Sequence, residues 1–433
     1  MSALGLSQET IARSSRGPKL KIGVAASLSF VALTSLIFNT LFGPFAALLF
    51  LISGGVLLLT RPMASLQAVL RFWYLLILPL FCLLSVLWSQ FPVLSLRYSV
   101  QLAITIVIAI AIANRISAAA FLRCLFGIYG VGILGSLLFG SVRSDIGAWI
   151  GIFGSKNAFA AVVCGFALTS IAVMFDRKAP KLMRLVALAG VASAGPLLFK
   201  AQSTGAMIFM IPASAIALAV MLSRRLNNLQ KLTMGALLVT LGIAMLIIVL
   251  QYSEILFQNL LDASGKDVTL TGRTELWQFG AQFIREHPLL GVGYRAFWVH
   301  EYPPAELLWA IFDIQARSGF NFHNTYVNNA VEIGFIGLGI QVVILYGTLL
   351  KTYVLAFRSP SPETAFLAAF LTLVVCGSFL EVTVFFEFSI TSVIVICAFV
   401  FATRANAKLS IRQLRGRSSK TPPMPLGRAA ELA

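Results

Sequence analysis

The chain has 433 residues, of which 58% are hydrophobic and only 11% are charged, and its formal net charge is +17. This is more apolar side chain than a soluble core of that size can hide, which excludes a soluble globular protein. The apolar runs do not alternate with period two, so they are not transmembrane β-strands. The composition therefore predicts an all-α polytopic membrane protein.

The sequence predicts about twelve membrane-spanning helices. Apolar runs of about 17 to 25 residues, each long enough to cross roughly 30 Å of hydrocarbon, recur from Ile22 to Thr403. The predicted spans cover residues 22–39, 42–60, 70–88, 98–114, 118–140, 157–175, 183–199, 203–222, 233–251, 325–349, 364–380 and 387–403. They divide the chain into a basic N-terminus (1–21), spans one to nine (22–251), a large periplasmic loop (252–324), spans ten to twelve (325–403) and a basic tail (404–433).

The basic residues are unevenly distributed between the two predicted sides of the membrane. If the N-terminus is cytoplasmic, 24 of the 33 Lys and Arg lie on the cytoplasmic side, as the positive-inside rule requires for twelve spans. Most acidic residues lie on the opposite side. We attribute the positive charge to topology and to contact with anionic membrane lipids, and we do not predict nucleic acid as a partner.

The sequence offers no metal or cofactor motif. The five cysteines fall within or at the edges of apolar spans, without the spacing of a disulfide framework or a metal site. Phosphate-loop, HExxH and dinucleotide-binding motifs are absent. We therefore predict no cofactor, no metal and no cytoplasmic nucleotide site.

Two basic residues stand at predicted outer ends of spans. Span three is predicted to end near Trp88, an interfacial anchor, and Pro92 is predicted to break the helix. Arg97 follows on the outer side, where the chain has few basic residues. Lys200 stands in the turn before span eight, whose Ser203 is typical of a helix N-cap.

The loop between spans five and six reads SVRSDIGAWIGIFGSKNAFA. Its glycines interrupt a regular helix, and Arg143 and Lys156 supply cations at the membrane surface. Lys156 and Asn157 are predicted to open the next helix, whose N-terminus adds to the attraction for an anion. A flexible connector in which Lys156 pairs with Asp145 explains the same residues equally well.

The longest polar interruption runs from Thr271 to Gly339 and holds all three histidines. Its first part predicts an amphipathic helix capped by Thr274, with one apolar face formed by Leu276, Trp277, Gly280, Phe283 and Ile284. Arg273 stands at the N-terminal end of this helix. A guanidinium there favours a phosphate or diphosphate, which it can bind through two parallel hydrogen bonds.

The second part begins FNFHNTYVNNAVEIG and is predicted to continue as span ten. Asn324, Asn328 and Glu332 are four residues apart and form one polar stripe that descends about 12 Å. Such a stripe indicates either a functional cavity or a satisfied hydrogen-bond network between helices. His323 stands at its top, and an imidazole there is either a general base near neutral pH or a hydrogen-bonded structural residue.

The other two histidines carry less information. His287 precedes a proline and is interpreted as structural, and the role of His300 is left open.

The ordered set LWSQFPVLSLR, GIFGSKNAFA, TGRTELW, HPLLGVG and HNTYVNNAVEIGFIGLG resembles the O-antigen ligase and polymerase superfamily, and most closely its exopolysaccharide polymerase branch. The resemblance implies a metal-independent, inverting glycosyltransferase on the outer face of the bacterial inner membrane. Its donor and acceptor would be undecaprenyl-diphosphate-linked glycans. A flippase and a chain-length regulator of the same pathway would be its partners.

The resemblance also implies roles for single residues. His323 would activate or orient the acceptor hydroxyl, Arg273 would hold the donor diphosphate, and Lys156 in the Lys-Asn motif would be a second cation. The further substrate-binding candidates are Asn157, Arg97, Arg143, Lys200, Arg295, Asn324, Tyr326, Asn328 and Glu332. Where ligases of the superfamily commonly have Ser-Arg at the start of span eight, this chain has Ser203-Thr204, and Lys200 is a hypothetical substitute for the missing arginine.

Two alternatives remain. Ligation of the glycan to lipid A-core or to a protein uses the same chemistry. A lipid-linked glycan flippase or transporter belongs to another class, but it predicts two related halves and charges at the membrane midplane, and neither is visible in this sequence. The sharpest prediction is that Arg273, His323 and Lys156 converge on one outer-face cavity.

Overall fold

The computed structural model describes residues 23–144, 146–251 and 271–418. The predicted N-terminal segment, Asp145, the first part of the predicted large loop and the end of the tail lie outside these residues. The described helices are α1 Val24–Ile37, α2 Asn39–Phe42, α3 Pro44–Leu59, α4 Pro62–Arg71, α5 Ile77–Leu84, α6 Pro92–Arg115, α7 Ala118–Phe139, α8 Lys156–Met174, α9 Lys181–Ala201, α10 Thr204–Leu222, α11 Asn228–Gln251, α12 Thr271–Glu286, α13 Pro303–Ile311, α14 Thr325–Arg358, α15 Pro362–Gly377 and α16 Ile390–Ser418. Short 3₁₀ helices cover Trp73–Leu76, Ser85–Leu87 and Ser223–Arg225.

The architecture is that of an α-helical polytopic membrane protein. Within the described ranges, seven helices are long and apolar enough to cross a membrane, or eight if the pair α3 and α4, which meet at a bend of 102°, counts as one span. Three shorter apolar helices, Val24–Ile37, Trp73–Leu87 and Pro362–Gly377, accompany them. The number twelve and the large periplasmic loop therefore stay predictions.

Span four begins earlier than the sequence suggested. Pro92 is the first residue of α6, which runs to Arg115, so the predicted start at residue 98 is wrong. Proline lacks an N–H and has a fixed φ, which suits the first position of a helix as well as the residue after one. Predicted span three is also interrupted, because α4 ends at Arg71 and a 3₁₀ turn follows.

A two-stranded antiparallel hairpin joins α7 to α8. It pairs β1 (Ser141–Val142) with β2 (Trp149–Gly151). Ser155 then caps α8 by accepting a hydrogen bond from the Ala158 N–H at 3.1 Å. Lys156 and Asn157 are the first two residues of α8, as predicted.

Helix α12 lies against α14 through its apolar face. Leu276 is buried in a cluster with Phe297, Phe322 and Val331, and the Trp277 indole N–H donates to the Phe322 carbonyl at 2.7 Å. The helix already begins at Thr271, so Thr274 lies inside it and the predicted cap at Thr274 is wrong.

Helix α14 is sharply bent at Gly334, where φ is 61° and ψ is −174°. The Asn329 amide donates to Gln341 at 2.8 Å, and the hydroxyls of Tyr326 and Tyr346 are 2.9 Å apart. A straight helix would separate these pairs by about 18 and about 30 Å along its axis. The two halves therefore fold toward each other, so the helix predicted over 325–349 is bent at Gly334 and is not continuous.

The backbone groups released at this bend bind the segment that follows α12. Four hydrogen bonds join them: Val292 N to Val331 O at 3.0 Å, Gly293 N to Glu332 O at 2.9 Å, Phe335 N to Pro288 O at 2.8 Å and Ile336 N to Leu289 O at 3.2 Å. The approach is so close that a Cβ at Gly334 would clash with the Leu289 carbonyl oxygen. Irregular backbone inside a membrane protein persists only when its polar groups find such partners.

Candidate functional site

One carboxylate, that of Glu381, joins three of the predicted site residues. Its Oε1 accepts from Arg273 Nη2 at 3.0 Å and from the Asn157 side-chain amide at 3.1 Å. Its Oε2 lies 3.2 Å from Nδ1 of His323. Residues far apart in the sequence thus meet at one carboxyl group.

Four different segments supply these groups. Arg273 lies in the first turn of α12, Asn157 in the first turn of α8, and His323 immediately before α14. Glu381 belongs to the loop 378–389 between α15 and α16. The loop is fixed by Thr325, whose hydroxyl donates to the Glu381 carbonyl at 2.7 Å and accepts from Thr383 N at 3.1 Å.

The conformation of His323 is locally constrained. Its φ is 47°, a left-handed value that is uncommon outside glycine. The Asn321 side chain accepts from its backbone N–H at 2.7 Å, and its ring packs edge-on against Phe320 with centroids 5.7 Å apart. The imidazole is therefore held between an aromatic ring on one side and the Glu381 carboxylate on the other.

The cluster is partly accessible. The side chains of Arg273, His323 and Glu381 are 22%, 25% and 33% exposed. Burial alone would raise the pKa of the Glu381 carboxyl, but the hydrogen bond with His323, together with Arg273, outweighs it and holds this pKa below its ordinary value. Glu381 is therefore ionised at neutral pH.

Lys156 lies next to this cluster. Its Nζ donates to the Gln202 carbonyl at 3.4 Å, in the turn between α9 and α10. In the same turn the Ser203 hydroxyl donates to Asn157 Oδ1 at 3.4 Å. Ser203 makes no side-chain cap bond to α10, so it links two segments where a simple N-cap was expected. The suggested pairing of Lys156 with Asp145 lies outside the described residues.

A second charged cluster forms around Arg295. Its Nη2 binds Glu387 Oε1 at 2.8 Å, and its backbone N–H donates to Glu332 Oε2 at 3.1 Å. Its guanidinium also lies over the Tyr98 ring, 5.2 Å from the centroid. Glu332 is 2% exposed. Glu332 and Arg295 thus contact each other and lie in a different contact network from Arg273 and His323.

The asparagines of the predicted polar stripe bind protein groups. Asn324 caps α14 by accepting from the N–H groups of Tyr326 and Val327, and its amide donates to the Phe379 carbonyl at 3.1 Å. Asn328 accepts from the Trp298 indole N–H at 3.3 Å. These contacts agree with the satisfied hydrogen-bond network that the sequence left open.

The remaining predicted cations and aromatic residues make other contacts. Arg97 lies over the Tyr98 ring at 5.6 Å, and Lys200 lies over Trp149 at 4.7 Å, which ties α9 to the hairpin. The backbone of Arg143 closes the hairpin turn, with its N–H bound to the Ala148 carbonyl at 2.8 Å.

The other aromatic and histidine residues are placed as follows. The Tyr326 ring packs on Phe379, with centroids 4.9 Å apart. His300 packs on Trp309 at 5.4 Å. His287 lines a groove of about 390 Å³ that it shares with Trp88 and the segment 288–292.

Sequence reasoning missed Glu381 and Glu387. Both lie in a stretch that reads as the end of one apolar span and the start of the next, GSFLEVTVFFEFS, where a carboxylate is expected at the membrane boundary. The available signal was the rarity of acidic residues in this chain, 16 in all, and the presence of two of them within seven positions. Across the described residues, no group of three or more His, Cys, Asp or Glu side chains is placed to hold a metal ion.

Comparison with known proteins agrees with the resemblance seen in the sequence. Residues 196–342, which include Arg273 and His323, match the family model described as O-antigen ligase. The chain is also 31% identical over 328 residues to the exopolysaccharide production protein ExoQ of Rhizobium meliloti (strain 1021), an alignment that covers 72% of this chain and 73% of that protein. The chain belongs to the O-antigen ligase and polymerase superfamily of membrane proteins.

Proposed function

We propose that the protein is a polymerase that extends a surface polysaccharide or exopolysaccharide from undecaprenyl-diphosphate-linked repeat units, on the periplasmic face of the inner membrane with both termini in the cytoplasm. The observation that supports this proposal is the contact of Arg273 and His323 with one carboxylate. It sets an anion-binding group beside a proton acceptor. The similarity to a protein named for exopolysaccharide production favours a polymerase over other members of the superfamily.

The proposed reaction is an inverting transfer without a metal ion. A hydroxyl of one lipid-linked repeat unit attacks the anomeric carbon of the glycan on a second lipid diphosphate. The new glycosidic bond forms as the bond to the diphosphate breaks, and His323 takes the proton of the hydroxyl. Arg273 and Lys156 stabilise the negative charge that develops on the departing lipid diphosphate.

Alanine substitutions test these roles in purified protein supplied with lipid-linked repeat units. We expect His323→Ala to lower kcat by about 10²- to 10⁴-fold, the usual contribution of a general base. We expect Arg273→Ala to raise KM for the donor and to lower kcat, since its charge acts on both bound donor and transition state. Chain length on a gel and initial rates are the measurements.

The matched controls are His287→Ala and Arg285→Ala, which remove an exposed residue of the same type from the same region. Full transfer by His323→Ala at normal protein levels would rule out its catalytic role. Run in EDTA, the assay also tests the metal-independent step, which is contradicted if chelation stops transfer by the unaltered protein.

The second candidate function is ligation of a finished glycan to lipid A-core or to a protein. The description of the matching family model as O-antigen ligase favours it. A strain that lacks the gene separates the two functions. If the protein is a polymerase, single repeat units remain; if it is a ligase, lipid-linked polymer accumulates.

A further inference from the structure

We infer that Glu381 is the positioning residue that fixes the tautomer and orientation of His323, so that Nε2 of the imidazole faces the acceptor hydroxyl. The inference rests on the proposed function and names a residue that the sequence analysis did not assign.

The proton between the Glu381 and His323 side chains belongs to the imidazole. Glu381 Oε2 and His323 Nδ1 are 3.2 Å apart, within hydrogen-bond distance. An ionised carboxylate can only accept a hydrogen bond, and the neighbouring Arg273 helps to keep Glu381 ionised. Nδ1 must therefore carry the proton. In a neutral imidazole the lone pair then resides on Nε2, and the base in the proposed reaction is Nε2.

Groups from other segments hold the Glu381 carboxylate in place. Its other oxygen, Oε1, accepts from Arg273 at 3.0 Å and from Asn157 at 3.1 Å, and its backbone carbonyl accepts from the Thr325 hydroxyl at 2.7 Å. One oxygen is thus anchored by α12 and α8 while the other faces His323. In this arrangement the acceptor hydroxyl is the reacting group, His323 is its base, and Glu381 orients the base.

His323 is surrounded by both charged and uncharged side chains. The charged groups facing it are Glu381 and, through that carboxylate, Arg273; Lys156 lies next to Asn157 at the start of α8. Phe320 and Asn321, which also contact His323, carry no charge. Glu381 is therefore the charged group in direct contact with the imidazole among the described residues.

The tautomer is tested by ¹⁵N NMR of protein labelled at its histidines, of which there are three. In the intact protein we expect the His323 signals of an imidazole protonated at Nδ1, assigned by comparison with His323→Ala. Glu381→Gln replaces the carboxylate with an amide that can either donate or accept. Because its oxygen stays with Arg273, its NH2 faces Nδ1, and we expect the tautomer protonated at Nε2, while Glu387→Gln, in the same loop but bound to Arg295, leaves the His323 signals unchanged.

Kinetics supply the second readout. Glu381→Gln should lower kcat at least 100-fold with less than a threefold change in donor KM, because the amide oxygen can still accept from Arg273. Glu381→Asp should recover at least part of this loss, since it restores a carboxylate. A thermal unfolding temperature within a few degrees of the parent protein confirms that each variant is folded.

Two results would overturn the inference. One is an unchanged His323 tautomer in Glu381→Gln; the other is a loss confined to donor KM, which would mean that Glu381 only holds Arg273. Both differ from failure of the proposed function, which would appear as an absence of transferase activity in the unaltered protein. The NMR result stands whatever that assay gives.

Discussion

At the scale of single residues, the carboxylates of Glu381, Glu332 and Glu387 have different contacts. Glu381 binds Arg273, Asn157 and His323 at the candidate site. Glu332 and Glu387 instead bind the backbone and the side chain of Arg295. Because those two carboxylates are satisfied by one arginine, we assign their contacts to the stability of the loop that contains Arg295.

Replacement of Arg295 tests this assignment. Arg295→Ala leaves Glu387, whose side chain is only 9% exposed, without its cation. The Arg295 side chain itself is 38% exposed, so solvent screening reduces the effect to about 2 kcal/mol of unfolding free energy, below the value for a fully buried pair. Thermal unfolding in detergent is the measurement.

Arg97→Ala is the matched control, since Arg97 is exposed and lies over the same Tyr98 ring. We expect a loss of about 1 kcal/mol or less for this variant. The assignment is wrong if the two substitutions have equal effects on stability and Arg295→Ala has a large effect on donor KM alone. Arg295 would then bind substrate instead.

At the scale of elements, the start of α8 followed from local chemistry, whereas the bend in α14 did not. Lys156 opens α8 because Ser155 caps it, a pattern that is readable in the sequence. The bend at Gly334 depends on hydrogen bonds to residues 288–293, more than 40 positions away. Apolar periodicity continues through Gly334, so it predicts one span. Glu381 was missed for a similar reason, because only the fold brings it to His323.

A single methyl group tests the bend. Gly334→Ala places a Cβ against the Leu289 backbone at a residue whose φ is 61°, so the backbone must shift. We expect a loss on the order of 1–3 kcal/mol from backbone strain. The control is Gly339→Ala in the same helix, where nothing lies within 4 Å of the added atom and helix propensity favours Ala. Equal melting temperatures for the two variants would contradict the bent geometry.

At the scale of the whole molecule, composition predicted an α-helical membrane protein, and the described helices agree with it. The number of spans is less well determined by sequence, because short helices such as Pro362–Gly377 are stabilised by burial inside the bundle as well as by apolar composition. The contacts of Glu381 gather the start of α8, the first turn of α12 and the segment before α14 at one end of the bundle. The positive-inside rule predicts that this end is periplasmic.

Cysteine labelling tests the predicted sidedness. In a background with Cys124 and Cys376 replaced by Ala, we introduce Gln315→Cys or Lys178→Cys, both at exposed positions. A membrane-impermeant thiol reagent applied to spheroplasts should label the first variant and not the second. Inverted vesicles should give the opposite pattern. Labelling of Lys178→Cys from outside would overturn the predicted orientation.

The bend in α14 also has a consequence for the biosynthesis of this protein. Residues 288–293 leave the ribosome before α14 and supply partners for two of its carbonyl and two of its N–H groups. If α14 entered the bilayer already bent and without them, those four groups would lie unpaired in hydrocarbon, at a cost of several kcal/mol each, whereas a straight α14 would pair them with one another. We therefore expect the bend in α14 to form only when residues 288–293 pack against it.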